Sequence, residues 1–216
     1  MFISGKYFML ANSHNKEDNL FCVKEITQAL KKTPTSASKK HNLSIAIKQL
    51  NNVVIRPNQI FSFWHLVGNP TQKKGYQNSR AIVNNELKQE IGGGLCQLSG
   101  LIYYLALHAG MQIIERHHHS IDIYTDKERF TPLGSDATVA YGYKDLQFKN
   151  VQPFPIYLQF TLTDNLLTGH FLSPKYIDAL DIRFCYQKND LTTLVTTNIY
   201  QADILLHTFC DVYKNI

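Results

Sequence analysis

The sequence predicts an α+β fold in which a central helix, with a candidate nucleophile at its N-terminus, packs on a mainly antiparallel β-sheet. Three observations predict it. Residues 97–109 place Leu98, Leu101, Ile102, Leu105 and Ala109 at three- and four-residue intervals, one stripe of a helix, with Gly110 where a C-cap glycine belongs. Before that helix, 79–83 and 86–91 read as two strands joined at Asn84-Asn85, a hairpin-type turn. After it, short apolar runs separated by turn residues dominate, the signature of strands.

Taken in order, residues 1–18 are polar and irregular, and 20–32 read as a short helix ended by Thr33-Pro34. A Ser/Thr/Lys-rich loop over 33–40 follows, and then Leu43, Ile47 and Leu50 mark an amphipathic helix. The period changes at 53–55, a short strand. Arg56-Pro57-Asn58-Gln59 turns the chain into a second strand at 60–63. Gly68, Pro70 and Gly75 punctuate a loop. Beyond the central helix, 111–115 and 120–124 are strands on either side of a histidine run, followed by 136–141, 146–150, 156–163 and 166–172, with Asp164-Asn165 turning between the last two. After Pro174 the pattern weakens: 191–199 is β-prone and 202–213 is a final strand or helix.

A hydrophobic share of 44% with 12% aromatics is ample for one core in a chain of 216 residues. The net charge of +5 lies in the first 60 residues, which hold nine Lys/Arg against three Asp/Glu. No recognition helix or basic–aromatic pattern accompanies it, so no nucleic acid is expected as a partner. No run of 18 apolar residues spans a membrane, and the first residues lack the apolar run of a signal peptide. As written, the chain is expected to be cytoplasmic, with another export route left open. Cys22, Cys96, Cys185 and Cys210 form no C-x-x-C pair and no disulfide framework; Cys185 and Cys210 stand among aromatics and are expected in the core. No cofactor is expected, and the oligomeric state stays open.

The stretch Gly92-Gly93-Gly94-Leu95-Cys96-Gln97-Leu98-Ser99 carries the chemistry. Around the helix axis, Cys96, Ser99, Gly100 and Tyr103 fall opposite the apolar stripe, so the sulfur is expected at the helix start, facing away from the main packing surface. Unpaired N–H groups there favour a thiolate. Glycines without Cβ let a substrate approach the backbone, and N–H groups around Cys96 and Gln97 would receive an oxyanion. Gly93, Gly94, Gln97 and Ser99 are the candidate substrate contacts. The plainer alternative is a glycine turn into a core helix with an inert cysteine.

The second constellation is Glu115-Arg116-His117-His118-His119-Ser120. Continued as a strand, it would put His117 and His119 on one face and His118 on the other. Either His117 or His119 is placed to take the thiol proton and later protonate a leaving amine. Asp136 is the candidate to orient the imidazole, with Asp122 second, and Arg116 would hold a substrate carboxylate through its planar fork. Cys96, His117 and His119 also make three possible zinc ligands with water as a fourth, but no second Cys/His pair supports a metal, and none is expected.

Together these segments, with Gly134-Ser135-Asp136-Ala137-Thr138-Val139 and Asp145-Leu146-Gln147-Phe148-Lys149-Asn150, resemble the VanW family. Phe61-Ser62-Phe63, Gly68-Asn69-Pro70 and Gly75-Tyr76 match on the approach. The resemblance runs in consistent order from about residue 40 to 160. It implies a VanW-like domain over 39–175, flanked by an N-terminal extension over 1–38 with a short helix and a C-terminal extension over 176–216 of unknown role. The family takes its name from an accessory protein of glycopeptide-resistance clusters, and VanW domains of some cell-wall proteins are implicated in L,D-transpeptidation. The resemblance therefore implies Cys96 as nucleophile, His117 or His119 as base, and a peptide or peptidoglycan-like substrate. This sequence departs from the family at His118, where proline is usual, and at Asn58, where glycine is usual. The expected activity is that of a thiol acyltransferase, transpeptidase or amidohydrolase; the competing classes are a non-catalytic module binding peptidoglycan precursor or a partner protein, and a zinc-dependent hydrolase.

Overall fold

The computed structural model describes residues 9–30, 34–83, 86–121, 129 and 131–215. Asp122, the Asn84-Asn85 turn and the second half of the 120–124 strand lie outside them. The fold is α+β, as the patterns predict. Its main sheet has five antiparallel strands, in the order β1 (Ser13–His14), β3 (Val53–Ile55), β9 (Ile156–Leu162), β10 (Leu166–Ser173) and β2 (Phe21–Ala29). Against it pack α1 (Ser36–Leu50) and α3 (Leu95–His108), which also touch each other. Leu98, Leu101, Ile102 and Leu105 of α3 are all fully buried, each contributing roughly 1.5–3 kcal/mol by leaving water. The helix comes so close to β10 that a Cβ at Gly169 would run into Leu101 and Leu105.

β2 corrects the helix expected over 20–32. Leu20, Val23, Ile26 and Leu30 have helical spacing only because of a β-bulge: β10 partners skip from Lys24 to Cys22, leaving Val23 as the extra residue. Burial then changes parity, with Val23 buried on one side of the bulge and Ile26 and Gln28 beyond it. The other early correction is α1, which starts at Ser36 inside the stretch expected as loop; Ala37, Lys39 and Lys40 are good helix formers.

β4 (Ile60–Ser62), β8 (Gln147–Lys149) and β7 (Gln112–Glu115) form a small antiparallel sheet in that order, with Phe61 and Phe148 stacked at 4.6 Å. Ser62 ends β4 by capping α2 (Phe63–Val67), its Oγ accepting from the His65 N–H. Asn58 takes the left-handed conformation the turn needs, φ 66°. β5 (Asn78–Val83) and β6 (Glu86–Ile91) make the expected hairpin ahead of α3. Residues 136–141 do not form the expected strand: only Ala140 makes a bridge, to Lys144, and the Thr138 N–H donates to the His117 carbonyl at 2.7 Å.

The weakly patterned C-terminal region is an antiparallel sheet of β11 (Asp181–Lys188), β12 (Thr192–Gln201) and β13 (Ile204–Lys214). Cys185 and Cys210 sit on its exposed side, not in the core: both pair with Thr196, whose side chain faces outward between the buried Val195 and Thr197.

Candidate active site

Cys96 is the second residue of α3, and Gly94 caps the helix with φ +103°. The glycines serve the turn. Gly93 lies so close to β5 that a Cβ would penetrate the Ser79 carbonyl, and a Cβ on Gly94 would press into the Lys39 side chain. Asn42, fully buried in α1, clamps this turn: its Nδ2 donates to the carbonyls of Gln77 (2.9 Å) and Gly93 (3.1 Å), and its Oδ1 accepts from the Gln77 N–H (2.8 Å). So the expected approach of substrate to Gly93 is replaced by an approach of protein. Of the N–H groups at the helix start, that of Gln97 donates to the Gly94 carbonyl at 3.0 Å; the N–H of Cys96 meets no acceptor among the described residues. The Gln97 carboxamide is enclosed, and neither Oε1 nor Nε2 has a hydrogen-bond partner.

The face opposite the apolar stripe is covered as well. Ser99 is fully buried, its one hydroxyl proton directed to the Ala137 carbonyl at 2.6 Å with the Cys96 carbonyl also near, at 3.2 Å, which removes it from contact with substrate. Gly100 packs beside residues 135–137, where even a Cβ would make ordinary contact. Cys96 itself is half-buried, its thiol within 3.6 Å of the Val139 carbonyl.

Of the three histidines, His119 faces the sulfur. Its Nδ1 and its backbone N–H both donate to Asp136 Oδ2, each at 2.7 Å. Nε2 is the ring nitrogen that Asp136 leaves open, and His119 is the side chain whose hydrogen bonding and charge act on Cys96. Burial alone would raise the Cys96 thiol; the hydrogen bond and positive charge of His119 outweigh it, helped by Val139 and Thr138, and bring the thiol below its ordinary value. Burial likewise works against the His119 imidazolium, but Asp136 and the sulfur hold its pKa up at about 10. Asp136 is pushed well below the carboxylate range: His119, Arg116 and Tyr213 overcome its burial. Cys96, His119 and Asp136 thus stand in series, the thiol drawn down, the imidazole raised and the carboxylate held ionised, the residue types and order that cysteine–histidine–carboxylate chemistry uses.

His117 is directed elsewhere. The chain over 116–119 is not a regular strand, and His117 Nε2 bonds to Glu115 Oε1 at 3.1 Å, which also accepts the Asp145 N–H. His118 packs edge-on against the Tyr213 ring at 5.0 Å. Cys96, His117 and His119 do not converge, and among the described residues no three His, Cys, Asp or Glu side chains are placed to hold a metal ion.

Arg116 is also not free for a substrate carboxylate, its side chain being only 7% exposed. Nε donates to the Asp136 carbonyl (2.7 Å), Nη1 to Asp211 Oδ2 (2.5 Å), and Nη2 to the Gly134 carbonyl and Asp136 Oδ1 (3.1 Å each). The guanidinium lies 4.8 Å over the Tyr103 ring. Asp136 Oδ1 takes a further bond, 2.5 Å, from the Tyr213 hydroxyl. Asp211, Tyr213, Tyr103 and Asn42 were invisible as site residues in the sequence, since Asp211 and Tyr213 reach Arg116 and Asp136 across 95 and 77 positions of chain.

Known proteins share part of this sequence. An uncharacterized protein of Bacillus subtilis, YoaR, is 37% identical over 125 residues, 58% of this chain. The vancomycin B-type resistance protein VanW of Enterococcus faecalis is 32% identical over 143 residues, 66% of this chain. The alignments cover 40% and 52% of those proteins, so the chain spans about half or less of the length of the curated relatives it matches. No solved structure matches. A family profile described as "VanW like protein" matches residues 38–172, which take in Cys96, the histidine run and Asp136. That match extends over more than half of the sequence, and the chain belongs to the VanW family.

Proposed function

We propose that this chain is a cysteine-dependent acyl transferase acting on a peptide of the peptidoglycan-stem class. The observation that carries the reading is the line Cys96–His119–Asp136, with a lowered thiol, a raised imidazole and a carboxylate on the far ring nitrogen. The peptidoglycan part draws on the Enterococcus faecalis relative, which is named for vancomycin resistance.

In this reading the Cys96 thiolate attacks a substrate carbonyl, and the resulting oxyanion is received by the Cys96 N–H. The C–N bond breaks as the His119 Nε2 proton passes to the leaving amine, and a thioester remains on Cys96. An incoming amine or water, losing its proton to His119, attacks the thioester and releases the thiolate with a new amide or acid. Asp136 holds the imidazole by Nδ1 throughout. The Gln97 carboxamide, enclosed and unpartnered, meets a peptide group of the substrate only where the side chains over it part.

The test is to incubate the protein with peptidoglycan stem peptides and measure intact mass. An acyl adduct mapped to Cys96, absent in Cys96→Ala, is the expected result. Peptide binding without any adduct, unchanged in Cys96→Ala, would support a non-catalytic binding module instead.

A further inference from the structure

The strands beyond the family match touch both halves of the site. The Lys214 N–H of β13 donates to the Ser120 carbonyl at 2.9 Å, tying the sheet to the end of the histidine run. On the other side, Val195, Phe184 and Thr197 close around Gly134, so tightly that a Cβ there would lie 2.8 Å from Val195 Cγ1. Asp211 and Tyr213 are two residues apart on β13 and therefore face the same way. Both are buried, and both point into the Arg116–Asp136 cluster.

We infer that the C-terminal sheet is part of the site, and that Tyr213 is a positioning residue which fixes the Asp136 carboxylate and, through it, the His119 ring against Cys96. This rests on the proposed roles of Cys96 and His119. A carboxylate turns readily about its last bond, because that torsion has only a broad preference. Asp136 Oδ2 serves His119, so the partners of Oδ1 decide which way Oδ2 faces. Those partners are Tyr213 and Arg116. Arg116 is held in turn by Asp211. One strand thus sets both supports of the carboxylate. The hydroxyl of Tyr213, a residue with no solvent exposure, puts its donor on Asp136 and accepts from Arg116 Nη2 at 3.4 Å. The titratable and charged groups around the carboxylate are Arg116, His119, Tyr213, Asp211 and Tyr103, with Cys96 beyond the imidazole.

The experiment compares the full chain with Tyr213→Phe, which keeps the ring against His118 and removes only the hydroxyl. Alkylation of Cys96 by iodoacetamide is followed by mass spectrometry from about pH 5 to pH 10, spanning the ordinary thiol range. The wild-type midpoint is expected below that of a free thiol, about 8.5. The variant midpoint should move up by roughly half to one unit as the imidazolium loses its alignment. The downfield proton resonance of the His119 ring N–H should broaden or vanish with it. Asp211→Asn, acting one step further off through Arg116, should move the midpoint the same way by less. A low wild-type midpoint that is unchanged or lower in Tyr213→Phe overturns the positioning role and leaves the thiolate–imidazolium reading intact. A wild-type midpoint at or above the free-thiol value removes both. Should Tyr213→Phe fail to fold, an unmoved midpoint in Asp211→Asn overturns the inference.

Discussion

Asp136 Oδ2 accepts two hydrogen bonds from one residue, the backbone N–H and the ring Nδ1 of His119, each at 2.7 Å. The pair fixes both the turn of the chain at His119 and the tautomer of its ring, because the nitrogen facing the carboxylate must carry a proton.

Asp136→Asn is therefore expected to weaken the fold and the site together. An amide has one acceptor and one donor, whereas all four recorded partners of the two carboxylate oxygens are donors. Either amide orientation sets an NH₂ against a donor and leaves buried Arg116 with less negative charge. Breaking such a buried pair costs about 2–4 kcal/mol. An unfolding free energy that falls by less than a quarter of that, with Cys96 alkylation at neutral pH unaffected, would sink this account.

The two flanking histidines separate cleanly. His119→Ala removes the group that holds the thiol down, and burial then pushes Cys96 above the ordinary thiol range. Alkylation at pH 7 should slow by roughly 10- to 100-fold, one to two units of thiol pKa. His117 bonds to Glu115 with its side chain 38% exposed. His117→Ala should leave the alkylation rate within about twofold and stability within about 0.5 kcal/mol, as for other surface substitutions. Equal loss in the two variants would show that His119 alone does not serve the sulfur.

How far the sequence disclosed this site depends on distance along the chain. The helix stripe and the hairpin lay within local patterns and could be read; Cys96, His117 or His119, and Asp136 stood out as candidates in one ordered run of motifs, with the choice of histidine left open. β2 could not, because a bulge at Val23 turned a two-residue alternation into helical spacing. The glycines were read for the right reason and the wrong neighbour: Gly93 does admit a close backbone approach, but from Ser79 of β5. Arg116 has the fork that suits a carboxylate, and it holds Asp136 and Asp211 instead of a substrate. Nothing in the sequence near Asp211 or Tyr213 marks them, since their significance comes from partners that only the folded sheet supplies.

Stability should vary with pH in a way these groups dictate. The His119 pKa is raised from 6.5 to about 10, so its contribution is complete below about pH 6.5 and is lost as pH rises through about 10. Cys96 is lowered from 9.0, so its contribution is complete above that value and fades as pH falls through the folded one. Where the two ranges overlap, below pH 9, the two slopes oppose each other, and the pair behaves as one coupled unit. Asp136 is lowered from 3.8, so its contribution is present above that value and declines below it. Denaturant midpoints should be nearly level across neutral pH and fall on both sides. In His119→Gln the alkaline fall should shrink. An identical alkaline limb in the variant would assign that loss to the other tyrosines and lysines. Native alkylation adds a second reading: near pH 6 the lowered Cys96 should be labelled ahead of Cys22, Cys185 and Cys210, although those three are the exposed cysteines.

Gln97 allows stability and function to be moved in opposite directions. Its carboxamide is enclosed beside Cys96 with no hydrogen-bond partner on either atom. Such a group costs roughly 1–3 kcal/mol of desolvation that folding does not return. A side chain of similar size without polar atoms removes that cost, so Gln97→Leu should raise stability by up to about 1–2 kcal/mol. If the orphan amide is kept for a substrate peptide group, the same variant should form the Cys96 acyl adduct more slowly at low peptide concentration while its iodoacetamide rate stays unchanged, because the thiolate and His119 are untouched. A stabilised variant that acylates as fast as wild type at every peptide concentration would make Gln97 a structural residue with no part in recognition. A variant that is destabilised instead would mean that the carboxamide is satisfied in solution, by water or by a shifted neighbour, and that its enclosure is not held in reserve for a ligand.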